Sequence, residues 1–187
     1  LAVAECGDQQ NYPAGAVVLT HGWRSNADGW VHDMADMICD RLEPVNRCAT
    51  PINEGGLQLR RYCRAWDFDV WAVDWRRFAG ETGLRWVPPA PWVAWTRAET
   101  LGLQLAKELK SRGYQRVHLL AHSAGSNLID QAAFGMRSDG SPLETYIQQT
   151  FFDAYDPSGG AEGMPLTDGF LRYGINANRA ENFVDMR

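Results

Sequence analysis

Val117-His118-Leu119-Leu120-Ala121-His122-Ser123-Ala124-Gly125-Ser126 is the stretch on which the reading of this chain turns. An apolar run ends in a serine flanked by small residues, and a helix-like pattern follows. That order describes a strand, a sharp turn and a helix, an arrangement that lifts a serine Oγ clear of a sheet edge. The common form of the turn is Gly-x-Ser-x-Gly; here Ala121 takes the first position and Gly125 the last. Small residues are needed at both because the turn packs strand against helix with almost no room for side chains. Five residues alone specify little, so the flanking chain decides.

Ahead of this stretch, Leu101, Leu105 and Leu109 recur at i, i+4 and i+8, which predicts a helix over 96–112 closed by Gly113. After it, a helix is expected over about 124–136, ended by Gly135 and the Ser138-Asp139-Gly140-Ser141-Pro142 cluster. Tyr146–Phe152 reads as a strand running into Asp153, and Asn182-Phe183-Val184 begins another. Nearer the start, Ala16-Val17-Val18-Leu19-Thr20 is a short buried strand that runs into His21-Gly22-Trp23. Ser25-Asn26-Ala27-Asp28 offers helix-start chemistry, and Trp30, Val31, Met34, Met37 and Ile38 carry helical spacing to near Arg41. Residues 44–63, with Pro44, Pro51, Gly55 and Gly56, read as loop. Phe68–Trp75 alternates into a second central strand, residues 76–95 lack periodicity, and residues 1–15 form an irregular arm.

Strand and helix alternate from residue 16 to 153. The expected fold is α/β, a mostly parallel central sheet with helices on both faces, in one domain over 16–187. In such sheets, sites gather at the carboxyl ends of the strands. Residues 21–23, 121–125 and 153–156 all fall there.

The chain has 187 residues, 45% of them apolar and 22% charged, which suits one globular domain with its own core. No apolar run approaches the ~18 residues of a membrane span. A net charge of −5 with no block of Lys or Arg argues against a nucleic-acid partner. The cysteines are Cys6, Cys39, Cys48 and Cys63, with no Cys-x-x-Cys pair and no His at zinc-finger spacing, which argues against a structural zinc site. Their placement in or beside irregular segments favours disulfides over free buried thiols, for instance one fastening the loop that holds Cys48 and Cys63. Disulfides imply an oxidising compartment, secreted or periplasmic, and Ala2-Val3-Ala4 has the form of a signal-peptidase site.

A serine hydroxyl becomes a nucleophile when a histidine takes its proton and a carboxylate orients that histidine. Negative charge developing on the substrate oxygen needs backbone N–H donors. The residue after the serine supplies one, here Ala124, and the loop after an earlier strand supplies another. Trp23 occupies that loop, where Gly22 lets the backbone approach closely.

Four stretches carry a resemblance. Leu19-Thr20-His21-Gly22-Trp23, Val73-Asp74-Trp75, Val117–Gly125 and Phe152-Asp153-Ala154-Tyr155-Asp156-Pro157 resemble, in this order, successive landmarks of the lipase family within the α/β-hydrolases. The likeness is to the pancreatic and lipoprotein lipase group and its bacterial relatives, over roughly residues 16–157. It implies hydrolysis of a carboxylic ester or lipid through an acyl-serine intermediate, with no metal or organic cofactor. Ser123 is then the nucleophile, Trp23 and Ala124 the oxyanion-hole donors, and an aspartate after the next strand the acid. Asp153, which directly ends that strand, is favoured over Asp156, which precedes Pro157.

The resemblance also demands a histidine after the acid, whereas His21, His32, His118 and His122 all precede it. One reading is a domain lacking its C-terminal portion, with the histidine beyond residue 187. The other is a non-catalytic ester- or lipid-binding protein on the same fold. His21 is expected to steady the oxyanion loop, His122 to point away from the catalytic face, His118 to be a sheet residue and His32 to lie on the surface. Trp86, Trp92 and Trp95, in the Pro-rich stretch, suggest an apolar rim for an acyl chain or a lipid interface, with loop packing as the alternative.

Overall fold

Short strands rich in buried apolar residues make the centre of the sheet, because a parallel sheet is covered on both faces. The computed structural model describes residues 14–42, 57–65, 67–80, 93–138, 145–155 and 173–184, and the main chain alone at 46–47, 51–54 and 91–92. The elements in chain order are β1 (Gly15–Thr20), α1 (Trp30–Arg41), β2 (Asn46–Arg47), β3 (Pro51–Glu54), β4 (Leu57–Ala65) and β5 (Phe68–Asp74). They continue with α2 (Arg76–Ala79), α3 (Pro91–Ser111), β6 (Arg116–His122), α4 (Gly125–Arg137), β7 (Tyr146–Phe152) and β8 (Arg179–Phe183). The sheet runs β2-β4-β5-β1-β6-β7-β8, with β3 also paired to β4. Strands β5, β1, β6, β7 and β8 are parallel, and β4 is antiparallel to β5. The first strand therefore sits between β5 and β6, where the order of strand addition reverses, and the crevice outside its carboxyl end is the expected site.

Alternation along each strand divides the core in two. Val18, Trp71, Val73, Leu119, Ala121, Ile147 and Phe151 pack with Leu101, Leu105, Leu128 and Ile129 of α3 and α4. Leu19, Val70, Ala72 and Leu120 face the other way, onto Val31, Ala35 and Cys39 of α1. Each Val, Leu, Ile or Phe among them, fully buried, contributes about 1.5–3 kcal/mol. Among the described residues, no helix is long and apolar enough to cross a membrane.

Several elements differ from the sequence expectation. Residues 44–63 are not simply loop: β2 and β3 lie there, and β4 begins at Leu57, where Leu57 and Leu59 are buried against the α3 and α4 side. Arg61 pairs with Trp71 and Cys63 with Val70, so Tyr62 is an extra residue, a β-bulge. The bulge turns both Tyr62 and Cys63 toward α1. There Cys63 is disulfide-bonded to Cys39, with Cα atoms 6.0 Å apart. Both cysteines thus lie inside regular elements rather than irregular ones; Cys6 and Cys48 fall outside the described residues.

At the start of α1, Asn26 Oδ1 accepts the Asp28 N–H at 2.9 Å, which folds a turn and leaves Gly29 as N-cap. Helix α3 begins at Pro91, five residues before the expected start at residue 96, consistent with proline's fitness for a first helical turn. Gly135 lies within α4, not at its end, and a Cβ there would stand 2.8 Å from Ala106 Cβ of α3. The last strand starts at Arg179 rather than Asn182. Gly113, at φ +69°, follows α3 as expected.

Candidate active site

The turn between β6 and α4 consists of Ser123 and Ala124 alone. Ser123 has φ +52°, in the left-handed region that costs a non-glycine residue roughly 1–2 kcal/mol. Its neighbours hold it there. The Ser123 N–H donates to Phe152 O at 3.0 Å, and its carbonyl accepts from Ser126 N–H at 2.9 Å and Tyr155 N–H at 3.4 Å. The loop after β1 presses on the turn from the other side. A Cβ on Gly125 would stand 2.5 Å from His21 O, and one on Gly22 would stand 2.9 Å from both His122 O and Ser123 Cβ. Ala121, in the usual place of a glycine, is fully buried. Ala124 is buried at the N-terminus of α4, where main-chain N–H groups and the helix dipole favour negative charge.

His21 is fully buried in the loop after β1. Its Nδ1 lies 3.0 Å from Gly22 O, and its Nε2 lies 3.1 Å from Trp75 N and 3.2 Å from Asp74 Oδ1. The Trp75 indole donates to His21 O at 2.8 Å, and the two rings stack with centroids 5.5 Å apart. Asp74 in turn accepts from the Arg76 main chain at 3.0 Å and from its Nε at 2.7 Å, while Arg76 Nη2 reaches Asp28 at 2.7 Å. Burial alone would push the Asp74 carboxyl up; its contacts with His21 and Arg76 outweigh it and hold the group well below the usual carboxylate range. Trp23 is half-buried against the α3 and α4 side of the core, with the Arg24 guanidinium 4.7 Å above its ring. Asp74 and Trp75 belong to a sequence landmark that carries no task of its own in the resemblance. Their position at a strand end beside the loop was the signal available.

Across β6 and β7, His122 pairs with Phe152, so Ser123 and Asp153 follow paired residues on neighbouring strands. Asp153 is exposed, has φ +47°, and donates its N–H to Phe183 O at 2.9 Å. The bonds from Ser123 to Phe152 and Tyr155 bracket it. The chain leaving β8 at Val184 emerges beside it. Asp156 lies outside the described residues.

The four histidines are engaged elsewhere. His122 sets its ring edge-on to Trp30 of α1, with centroids 6.4 Å apart; burial lowers its pKa, and Asp153 opposes this. His118 Nε2 lies 2.9 Å from Thr150 Oγ1, and burial lowers its pKa as well. His32 is half-buried rather than on the surface, because the bulge brings Tyr62 within 5.1 Å of its ring. Among the described residues, none of these rings is hydrogen-bonded to Ser123. Trp95 is also turned inward: its indole donates to Tyr173 OH at 3.0 Å, and that hydroxyl donates to Tyr155 O at 2.7 Å. Trp86 and the Trp92 side chain lie outside the described residues. Among the described residues, no three His, Cys, Asp or Glu side chains are grouped to hold a metal ion.

A family model described as "Alpha/beta hydrolase family" matches residues 17–184. No curated protein matches the chain. The family match takes in the sheet from β1 to β8, the serine turn and the loops on either side of it, and the chain therefore belongs to the alpha/beta hydrolase family.

Proposed function

We propose that this protein hydrolyses carboxylic esters, as lipases and esterases do, through an acyl-serine intermediate. Ser123 Oγ attacks the ester carbonyl while a histidine takes its proton. The Trp23 and Ala124 N–H groups hold the oxyanion, and the alcohol leaves with the proton from the histidine. Water then adds to the acyl group by the same route in reverse. Asp153 orients the histidine, and the chain leaving β8 runs beside this aspartate, its Phe183 O accepting from the Asp153 N–H. Asp156 is the alternative acid.

One observation carries this reading: the left-handed φ of Ser123, held from three sides and with Gly22 packed onto its Cβ. Strain of this kind persists where the surroundings over-determine it, and such positions cluster at functional sites. A lipid rather than a soluble ester as substrate rests on Trp86 and Trp92. The Cys39–Cys63 bond supports a secreted or periplasmic setting.

The test is labelling of the longest natural form of the protein with an alkyl phosphonate. A single adduct on Ser123, absent from Ser123→Ala, is expected. An adduct elsewhere, or none, overturns the reading. The engagement of all four histidines away from Ser123 favours a second one, a non-catalytic ester- or lipid-binding protein. Its signature is saturable binding of an ester analogue with no phosphonate adduct.

A further inference from the structure

The peptide unit that ends in the Trp23 N–H begins with the Gly22 C=O. A trans peptide is planar, and its C=O and N–H point in opposite directions. Whatever fixes Gly22 O therefore aims the Trp23 N–H. Gly22 O lies 3.0 Å from His21 Nδ1. A carbonyl oxygen only accepts, so this contact is a hydrogen bond when Nδ1 carries a proton.

The opposite side of the ring decides where the proton goes. Trp75 N–H points at His21 Nε2 from 3.1 Å, which calls for a lone pair on that nitrogen. The other neutral tautomer would set a lone pair against Gly22 O and one N–H against another at Trp75. Asp74 Oδ1 lies 3.2 Å from Nε2, but both carboxylate oxygens already accept from Arg76, at 3.0 and 2.7 Å, so the Trp75 N–H is the contact that Nε2 completes. The ring cannot swing aside, because it is fully buried, stacked on Trp75, and its own carbonyl accepts from the Trp75 indole at 2.8 Å.

We propose that His21 is a positioning residue whose Nδ1–H, held on that nitrogen by the Trp75 main chain, aims the Trp23 N–H. This rests on the reading of Trp23 as an oxyanion donor. His21 touches no reacting atom; it acts through the peptide it orients. Trp75 is the template for both His21 and its tautomer.

Two measurements test this. The first is the two-bond proton–nitrogen correlation of the imidazole rings in the 187-residue chain, with His21 assigned through bonds to its main chain. A protonated Nδ1 with a bare Nε2 is expected. A bare Nδ1 overturns the proposal, whether or not the protein cleaves esters.

The second compares His21→Asn with His21→Gln in the ester-cleaving form. The asparagine amide nitrogen sits where Nδ1 sits, and the glutamine nitrogen where Nε2 sits. Loss of one oxyanion donor costs about 10²–10³ in kcat, and a misaimed donor up to that. His21→Gln should lower kcat by roughly 10- to 100-fold with KM changed less than about twofold, and His21→Asn should restore most of kcat. A purely space-filling role predicts the reverse order, because glutamine is nearer histidine in size; that order overturns the proposal. If the unsubstituted protein cleaves no ester, the ester reading fails, and the tautomer measurement decides the orientation of the peptide by itself.

Discussion

Two turns stand side by side at the carboxyl edge of the sheet, one after β6 and one after β7, and they hold nearly the same backbone angle by different means. Ser123 has φ +52° and Asp153 φ +47°. Ser123 opens onto a 13-residue helix whose first residues are buried, with Gly22 on one side and the Phe152 and Tyr155 main chain on the other. Asp153 is exposed, and its N–H is tied to the last residue of β8. Serine resists the left-handed region, whereas aspartate enters it more readily. Ser123 is thus placed by packing from several elements, whereas Asp153 combines its own tolerance with a main-chain bond to β8. A loss of packing should disturb the first, and a loss of β8 the second.

The largest effect separates chemistry from shape at the second turn. Asp153→Asn should lower ester turnover by about 10⁴-fold, because the histidine loses its orienting charge, while the thermal midpoint hardly moves. A loss under about tenfold would shift the acid role away from Asp153, with Asp156 the next to substitute. Packing at the first turn is probed by Gly125→Ala. The new Cβ would meet His21 O at 2.5 Å, and overpacking of that kind costs about 1–3 kcal/mol, read from the urea midpoint. Unchanged stability would mean that the loop after β1 yields, and that the serine turn is no better clamped than the acid turn. The smallest effect compares the two angles directly. Ser123→Gly should raise stability by about 0.5–1 kcal/mol as strain is relieved against glycine's chain entropy, and Asp153→Gly should gain less. Equal gains at both would break the contrast.

The central strands were legible because strands buried on both faces read as plain apolar runs, as in Val17–Leu19 and Val117–Ala121. The serine turn was legible for a related reason: small residues at fixed offsets leave few other structures. The edge was harder. Leu57 and Leu59 alternate as a strand should, but Pro44, Pro51, Gly55 and Gly56 read as loop, and the bulge at Tyr62 moves Cys63 to the other face and breaks the period. The Pro-rich stretch 76–95 lacks periodicity, yet Pro91 opens α3, because a first helical turn accepts proline. The hold of Trp75 on His21 was beyond sequence reasoning, since it joins residues 54 apart through one indole N–H and one main-chain N–H.

The bulge at Tyr62 makes the Cys39–Cys63 bond a matter of counting. Side chains on a strand alternate faces, so pairing shifted by one residue reverses every one of them. The single extra residue in β4 lets Cys63 share a face with Val70, on the side where α1 carries Cys39. Keep Tyr62 but pair the strand without a bulge, and Cys63 falls opposite Asp69 instead of Val70, its thiol aimed through the sheet at the wrong helices. Within this fold, the same two cysteines therefore meet or miss each other according to whether one bulge absorbs the count, even when no cysteine is gained or lost.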